Sequence, residues 1–332
     1  MPKILILRFS SIGDIVLTTP VVRCIKQQVP GAEVHYCTKQ AFKSILEPNP
    51  YIDKVHLLGG SLKELVQQLK AEDFDYVVDL HSNLRTRVIK ARLGKPSRSF
   101  DKLNYQKWLM VNFKINRLPE QHIVQRYLDA AASLGVKDDG QGLDYFIPAP
   151  DEVDTQTLPA PFRQGYVAFA IGAQHYTKRL PTARIIALCE RLQQPITLLG
   201  GKEDAATGDE IAAHFDTRTT NNEQRTTIYN ACGKYNLNGS ASLVRQATKV
   251  VSHDTGLMHI AAAFRKEIIS IWGNTIPEFG MYPFRTRYKV LEVQGLSCRP
   301  CSKIGYSKCP KGHFKCMQDI SFDNLTANHA EA

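Results

Sequence analysis

Apolar and polar positions along the start of the chain switch between two periods. Ile4-Leu5-Ile6-Leu7 is an unbroken apolar run closed by Arg8, the pattern of a strand buried on both faces of a parallel sheet. Gly13-Asp14 then opens a helical spacing through Val16, Leu17, Val21, Val22 and Ile25, which ends before Pro30-Gly31. Further strands are predicted over 34–37, 54–57 and 76–80, with helices over 41–46 and 62–69 between them. Strand and helix alternating in this way predict an open parallel α/β sheet.

Pro148, Pro150, Pro159 and Pro161 interrupt the pattern, and it then restarts. Strands are predicted over 166–171, 196–199, 249–252 and 267–271, and helices over 182–192, 205–214 and 256–264. The chain therefore reads as two α/β domains, 1–155 and 156–332, joined by a proline-rich hinge. Two such halves imply a ligand-binding cleft. The polar end, 322–332, reads as helical at best and prone to fray.

Two loops carry candidate chemistry. Phe9-Ser10-Ser11-Ile12-Gly13-Asp14 follows the first strand, on the edge where open α/β sheets bind ligands. Gly13 admits a close backbone approach, and Ser10 and Ser11 supply donors. Asp14 is either a proton acceptor for a bound hydroxyl or a helix cap. The second loop, Ser252-His253-Asp254-Thr255-Gly256-Leu257-Met258-His259, runs from an apolar strand into an alanine-rich helix. Free amides at that helix start, with Thr255 and His259, suit a diphosphate, although Asp254 and Thr255 are also ordinary capping types and His259 an ordinary core histidine. Neither the dinucleotide glycine pattern nor a P-loop is present.

Taken together the loops are more specific. Phe9 to Asp14 with Thr18-Thr19-Pro20, and Asp254 to His259 with Ala261-Ala262-Ala263, resemble the two signatures of the ADP-heptose:lipopolysaccharide heptosyltransferases, and the resemblance runs over essentially the whole chain. Lys178-Arg179-Leu180-Pro181 is similar to the family's Lys-x-Trp-Pro element, with Leu180 in the aromatic place. Gly200-Gly201-Lys202-Glu203 resembles its glycine-rich turn, and Trp272-Gly273-Asn274-Thr275 a loop bordering the donor.

This resemblance implies a GT-B fold, in which two Rossmann-like domains with parallel sheets face a central cleft. It implies an inverting, metal-independent glycosyltransferase with no catalytic cofactor, moving a heptose or related sugar from an ADP-sugar to a phosphorylated, lipid-linked glycan such as a lipopolysaccharide core. Asp14 is then the general base and Lys178 the counter-charge for the departing diphosphate. Ser10, Ser11, Gly13, Glu203, Asp254, Thr255, Gly256, Met258 and His259 become donor-binding residues. The carboxylate of the first half and the diphosphate cradle of the second are expected to meet across the cleft. A nucleotide-sugar epimerase of the same architecture, or a non-catalytic nucleotide-binding protein, are the competing readings. The epimerase lacks the first-loop match, and the binding protein would have lost Asp14 or Lys178.

Charge adds to this picture. The net charge is +10, and between Arg85 and Arg117 ten basic residues face the single acid Asp101. The run is either a solvated helix face or a surface for anions: phosphorylated acceptor and the inner face of an anionic membrane. The two loops disfavour nucleic acid as the anion. No apolar run reaches the roughly 18 residues of a membrane span, and Arg8 and Asp14 break up any signal-peptide pattern. A cytoplasmic enzyme, peripheral on the inner membrane, is expected. Finally, Cys298, Cys301, Cys309 and Cys316, with His313 nearby, have the ligand types of a structural zinc site, or are packed free thiols.

Overall fold

The computed structural model describes residues 1–216, 226–323 and 325, so most of the terminal stretch 322–332 lies outside the described residues. The chain forms two units, one comprising Met1–Leu103 with Glu120–Phe146, the other Asn104–Pro119 with Ile147–Ala332.

The first unit is built on β1 (Lys3–Leu7), whose Ile4, Leu5, Ile6 and Leu7 are fully buried. It continues through α1 (Ile12–Val16), α2 (Thr19–Gln28), β2 (Glu33–Lys39), α3 (Lys43–Leu46), β3 (Lys54–Leu58), α4 (Leu62–Ala71), β4 (Tyr76–Asp79), α5 (Leu84–Leu93) and β5 (Ser97–Ser99). α6 (Asn104–Phe113) groups with the second unit, and α7 (Ile123–Asp129) returns to the first. The strands form one sheet in the order β3-β2-β1-β4-β5, and every pairing is parallel.

The single helix expected from Gly13 to Ile25 is instead two. Pro20 has no amide hydrogen and its ring crowds the carbonyl of the preceding turn, so α1 cannot run on into α2. The side chains of Thr18 and Thr19 take over the freed carbonyls, donating to Ile15 O at 2.7 Å and Val16 O at 2.8 Å.

The second unit contains β6 (Val167–Ala170), α8 (Thr182–Leu192), β7 (Ile196–Leu199), α9 (Ala205–Asp216), β8 (Ile228–Asn230) and α10 (Leu237–Gln246). It ends with β9 (Lys249–His253), α11 (Gly256–Ala263), β10 (Ile268–Trp272), β11 (Tyr288–Glu292) and α12 (Lys315–Gln318). Its all-parallel sheet runs β8-β7-β6-β9-β10-β11, the doubly wound order in which the first strand of the unit lies at the centre. Core packing between this sheet and its helices includes Phe169, Leu180, Leu188, Leu198, Ile271 and Met317.

In both sheets the strand order reverses beside the central strand, between β1 and β4 and between β6 and β9. Diverging loops open a crevice at that point, beyond the carboxyl ends of the strands. Where the sequence suggested a boundary at 155/156, the units divide between Phe146 and Ile147. Side chains hold the intervening residues to α10: Asn236 and Asn238 donate to the Asp151 carboxylate at 2.7 and 2.8 Å, and Ser242 donates to Glu152 at 2.8 Å. Among the described residues no helix is long and apolar enough to cross a membrane.

Candidate active site

At the crevice of the first unit, Arg8 leaves the end of β1 with its guanidinium buried. It donates to the carbonyls of Ser10 (2.7 Å) and Leu80 and to the Tyr127 hydroxyl (3.0 Å). Its remaining nitrogen lies 2.6 Å from Oδ1 of Asp14. The other carboxylate oxygen, Oδ2, accepts from the Ser11 amide at 3.1 Å and the Ser11 hydroxyl at 2.9 Å. Asp14 thus both caps α1 and pairs with a cation, one oxygen for each. Burial alone would raise its carboxyl, but the Arg8 charge and the Ser11 hydrogen bonds outweigh that and hold it below the ordinary carboxylate value.

Across the same crevice, buried Asp79 accepts from the amides of His81 (3.1 Å) and Ser82 (2.7 Å), fixing the turn after β4. Its second oxygen is 3.0 Å from Lys90 Nζ. The His81 ring stands edge-on to Phe9, with centroids 5.4 Å apart. Burial, then the nearby Arg8 and Lys102, push this histidine down to about 4, so it is neutral at physiological pH.

In the second unit, the loops after β6 and β9 meet. Lys178 Nζ is 2.5 Å from Oδ2 of Asp254 and 3.1 Å from the Asp254 carbonyl. Thr275 donates to the same Oδ2 at 3.0 Å. One turn away the Leu180 amide donates to His253 Nε2 at 3.0 Å, and burial, then the Arg179 charge, push that imidazole down to about 3. With its carboxylate so engaged, Asp254 does not cap α11. Thr255 occupies the N-cap position without a side-chain cap, its hydroxyl instead 3.2 Å from that of Ser252. The start of α11 is therefore left without a side-chain cap, an arrangement that favours an anion.

Two glycines mark close approaches. A Cβ on Gly273 would stand 2.9 Å from the Thr177 carbonyl, so the loop after β10 can lie against the Lys178 turn only as glycine. A Cβ on Gly201 would stand 2.2 Å from Oε2 of Glu203, whose carboxylate folds back over the end of β7.

The family model for glycosyltransferase family 9 (heptosyltransferase) matches residues 62–310. The chain belongs to that family. It is a glycosyltransferase of the heptosyltransferase kind, and the epimerase and binding-protein readings find no support. It is 26% identical over 330 residues to lipopolysaccharide heptosyltransferase 1 of Pseudomonas aeruginosa, covering 91% of this chain and 86% of that one. Its fold is similar to that of a family 9 glycosyltransferase from Veillonella parvula, with a TM-score of 0.69 at 23% identity, covering 88% of this chain and 86% of that one. It is also similar to Escherichia coli heptosyltransferase WaaC with ADP-2-deoxy-2-fluoro heptose, with a TM-score of 0.65 at 23% identity, covering 88% and 94%.

With the family fixed, the residues singled out from the sequence fall into groups. Ser10, Ser11, Gly13 and Asp14 share the crevice loop of the first unit, Gly13 buried within α1. Lys178, Asp254, Thr255 and Gly256 come together in the second, with Glu203 exposed at the neighbouring strand end. Met258 and His259 are buried within α11. Leu180, which stands in the family's usual aromatic place, packs into the core, so the exchange alters filling rather than a polar contact.

The cysteine-rich segment also touches this site. Arg299, between Cys298 and Cys301, donates to the carbonyls of Gly273 (2.8 Å) and Thr275 (2.9 Å) and to Glu292 (2.5 Å), and the Cys301 amide donates to Asn274 O at 3.2 Å. Tyr306 exchanges hydrogen bonds with Thr177, its amide donating to Oγ1 at 2.8 Å and its carbonyl accepting the Thr177 amide at 3.2 Å. Cys298 Sγ lies 3.8 Å from His313 Nε2. Burial, then Cys301, Cys309 and Cys298, push the Cys316 thiol up to about 12. Among the described residues these thiols do not form a closed set of three ligand atoms within 4.8 Å; His35, His56 and Glu72 do.

Sequence reasoning passed over Arg8, His81 and Arg299. A buried arginine leaving the first strand beside a candidate base was visible as Arg8-Phe9-Ser10. The other two are placed by contacts distant in sequence and left no local signal.

Proposed function

We propose that this chain transfers heptose from ADP-heptose to a phosphorylated, lipid-linked glycan of the lipopolysaccharide core, with inversion at the anomeric carbon. The observation that carries the reading is the Lys178–Asp254–Thr275 cluster at the strand-order reversal, beside the uncapped amides of α11. Those amides and Lys178 supply positive charge for a departing diphosphate without requiring a metal ion. WaaC was solved with an ADP-heptose analogue, which supports ADP as the nucleotide.

In this mechanism Asp14 takes the proton of the acceptor hydroxyl as the C–O bond to the anomeric carbon forms and the bond to ADP breaks. Its negative charge also favours the oxocarbenium-like transition state. Ser10, Ser11, Gly13 and Glu203 bind donor hydroxyls, and Met258 and His259 shape the donor side from within α11. The acceptor's phosphates and the anionic inner membrane are met by the basic segment from Arg85 to Arg117. Exposed Tyr105, Trp108 and Phe113 on α6 supply interfacial aromatics there, consistent with a cytoplasmic, peripheral enzyme.

Cys298, Cys301, Cys309 and Cys316 would be the residues that hold a structural zinc ion. The fit rests on donor chemistry, four soft cysteine sulfurs in one segment, with Cys298 Sγ 3.8 Å from His313 Nε2. Bound there, zinc supplies fold rigidity and no reaction step. Stoichiometric zinc in purified protein is the expected result.

Release of ADP from ADP-heptose, dependent on added acceptor, tests the whole reading. A donor screen by thermal shift against ADP-, GDP- and UDP-linked sugars should show selective stabilisation by the ADP-sugar. Equal response to all three removes the donor assignment.

A further inference from the structure

A second group of convergent side chains lies in the first unit, toward the amino-terminal ends of β2 and β3 and away from the edge that carries Asp14. His35 on β2 and His56 on β3 are buried on adjacent strands, with His35 Nδ1 2.9 Å from His56 Nε2. Glu72, which follows α4, brings its two carboxylate oxygens to 4.0 Å from each of these nitrogens. Phe74 stands edge-on to both rings, with centroids at 5.2 and 6.1 Å, and walls off the interior.

Two nitrogen lone pairs cannot face each other at this distance unless a proton or a cation lies between them. The far side of His35 is arranged for the second case as well as the first. Its Nε2 is 2.7 Å from Glu33 Oε1, so that nitrogen carries the hydrogen and Nδ1 presents its lone pair inward. A carboxylate behind a histidine in this way is the outer partner common at metal sites, where it fixes the ring and raises its basicity. Lys3 Nζ, 3.5 Å from Glu72 and 3.9 Å from Glu33, and Lys54, paired to Glu72, are the competing cations. Both are long side chains with a path to solvent, so an incoming ion displaces them without rearranging the sheet.

We propose that His35, His56 and Glu72 bind a divalent transition-metal ion of the zinc class, with Glu33 as the outer partner of His35. Two imidazoles and one carboxylate are a three-residue donor set for such an ion, in which water would take the fourth position. The ion fastens β2, β3 and the end of α4 together.

The test titrates metal-free full-length protein with Zn²⁺ and Co²⁺, comparing wild type with His56→Gln and Glu33→Gln. Wild type is expected to bind about one equivalent more than His56→Gln, while Glu33→Gln keeps the site with affinity lowered roughly ten- to hundredfold. The cysteine segment contributes equally to all three proteins. In the Co²⁺ form, its sulfur charge-transfer bands should persist in His56→Gln while the remaining visible bands fall. Should His56→Gln fail to fold, Glu72→Gln, nearer the surface, serves for the same count. Equal stoichiometry, affinity and spectra across folded variants overturn the proposal.

Discussion

The Arg8 guanidinium sits 2.6 Å from one oxygen of Asp14 while Ser11 occupies the other. The carboxylate is thereby kept ionised; in the proposed reaction an acceptor hydroxyl would displace one of these partners.

Arg8→Gln removes the principal charge opposing burial, so the Asp14 carboxyl should rise toward and past its ordinary value. With Asp14 as the proposed base, wild type is expected to show an acid limb of kcat/KM below that value, and the variant one at higher pH. The linked stability has the same sign. A depressed native carboxyl stabilises above its unfolded value and loses that contribution as pH falls through the native one. A pH–rate profile of the variant superimposable on wild type would separate Asp14 from the reaction.

Asp14→Asn keeps size and most hydrogen bonding but removes the proposed base. Turnover should fall about 10²- to 10⁴-fold, with the donor Kd changed little, as read by ligand-induced thermal shift.

Lys178→Met takes away the cation beside Asp254. A loss of about 10²–10³ in kcat is expected if it balances charge on the leaving group. The buried Asp254 carboxylate would keep only Thr275 and lose its ion pair, so Tm should fall as well. Replacing Asp254 by Asn in the same chain should recover part of the Tm but not of the kcat.

Arg299→Met leaves the carbonyls of Gly273 and Thr275 without their donor. The loop after β10 then loosens, and the donor KM should rise more than kcat falls. Steady-state kinetics with varied ADP-sugar distinguish this from general destabilisation, which would lower active enzyme without changing KM.

Continuous apolar runs predict the central strands because strands buried on two faces carry their own signature. The helix at Thr182–Leu192 and the strand at Ile196–Leu199 fall where periodicity placed them. α5 escaped because LRTRVIKARL mixes basic and apolar residues around the helix, burying only Thr86 and Ile89. Its ends were nevertheless written in the sequence: Asn83 accepts the Thr86 amide, and Gly94 closes the helix at a φ of 66°. β5, β8 and β11 have few fully buried positions and no long apolar run. At the site, the loop motifs located Asp14, Lys178 and Asp254, whereas Arg8–Asp14 pairing and the Arg299 brace depend on tertiary packing that no local pattern encodes.

The polypeptide passes from one unit to the other at Leu103/Asn104, at Pro119/Glu120 and again at Phe146/Ile147. Such interlaced connectivity means that no single scission yields two intact halves. A fragment ending at Phe146 would carry α6 without its companions, and one beginning at Ile147 would lack it. Dissection of this enzyme into autonomous parts must therefore proceed by excising or transplanting the 104–119 excursion, not by truncation.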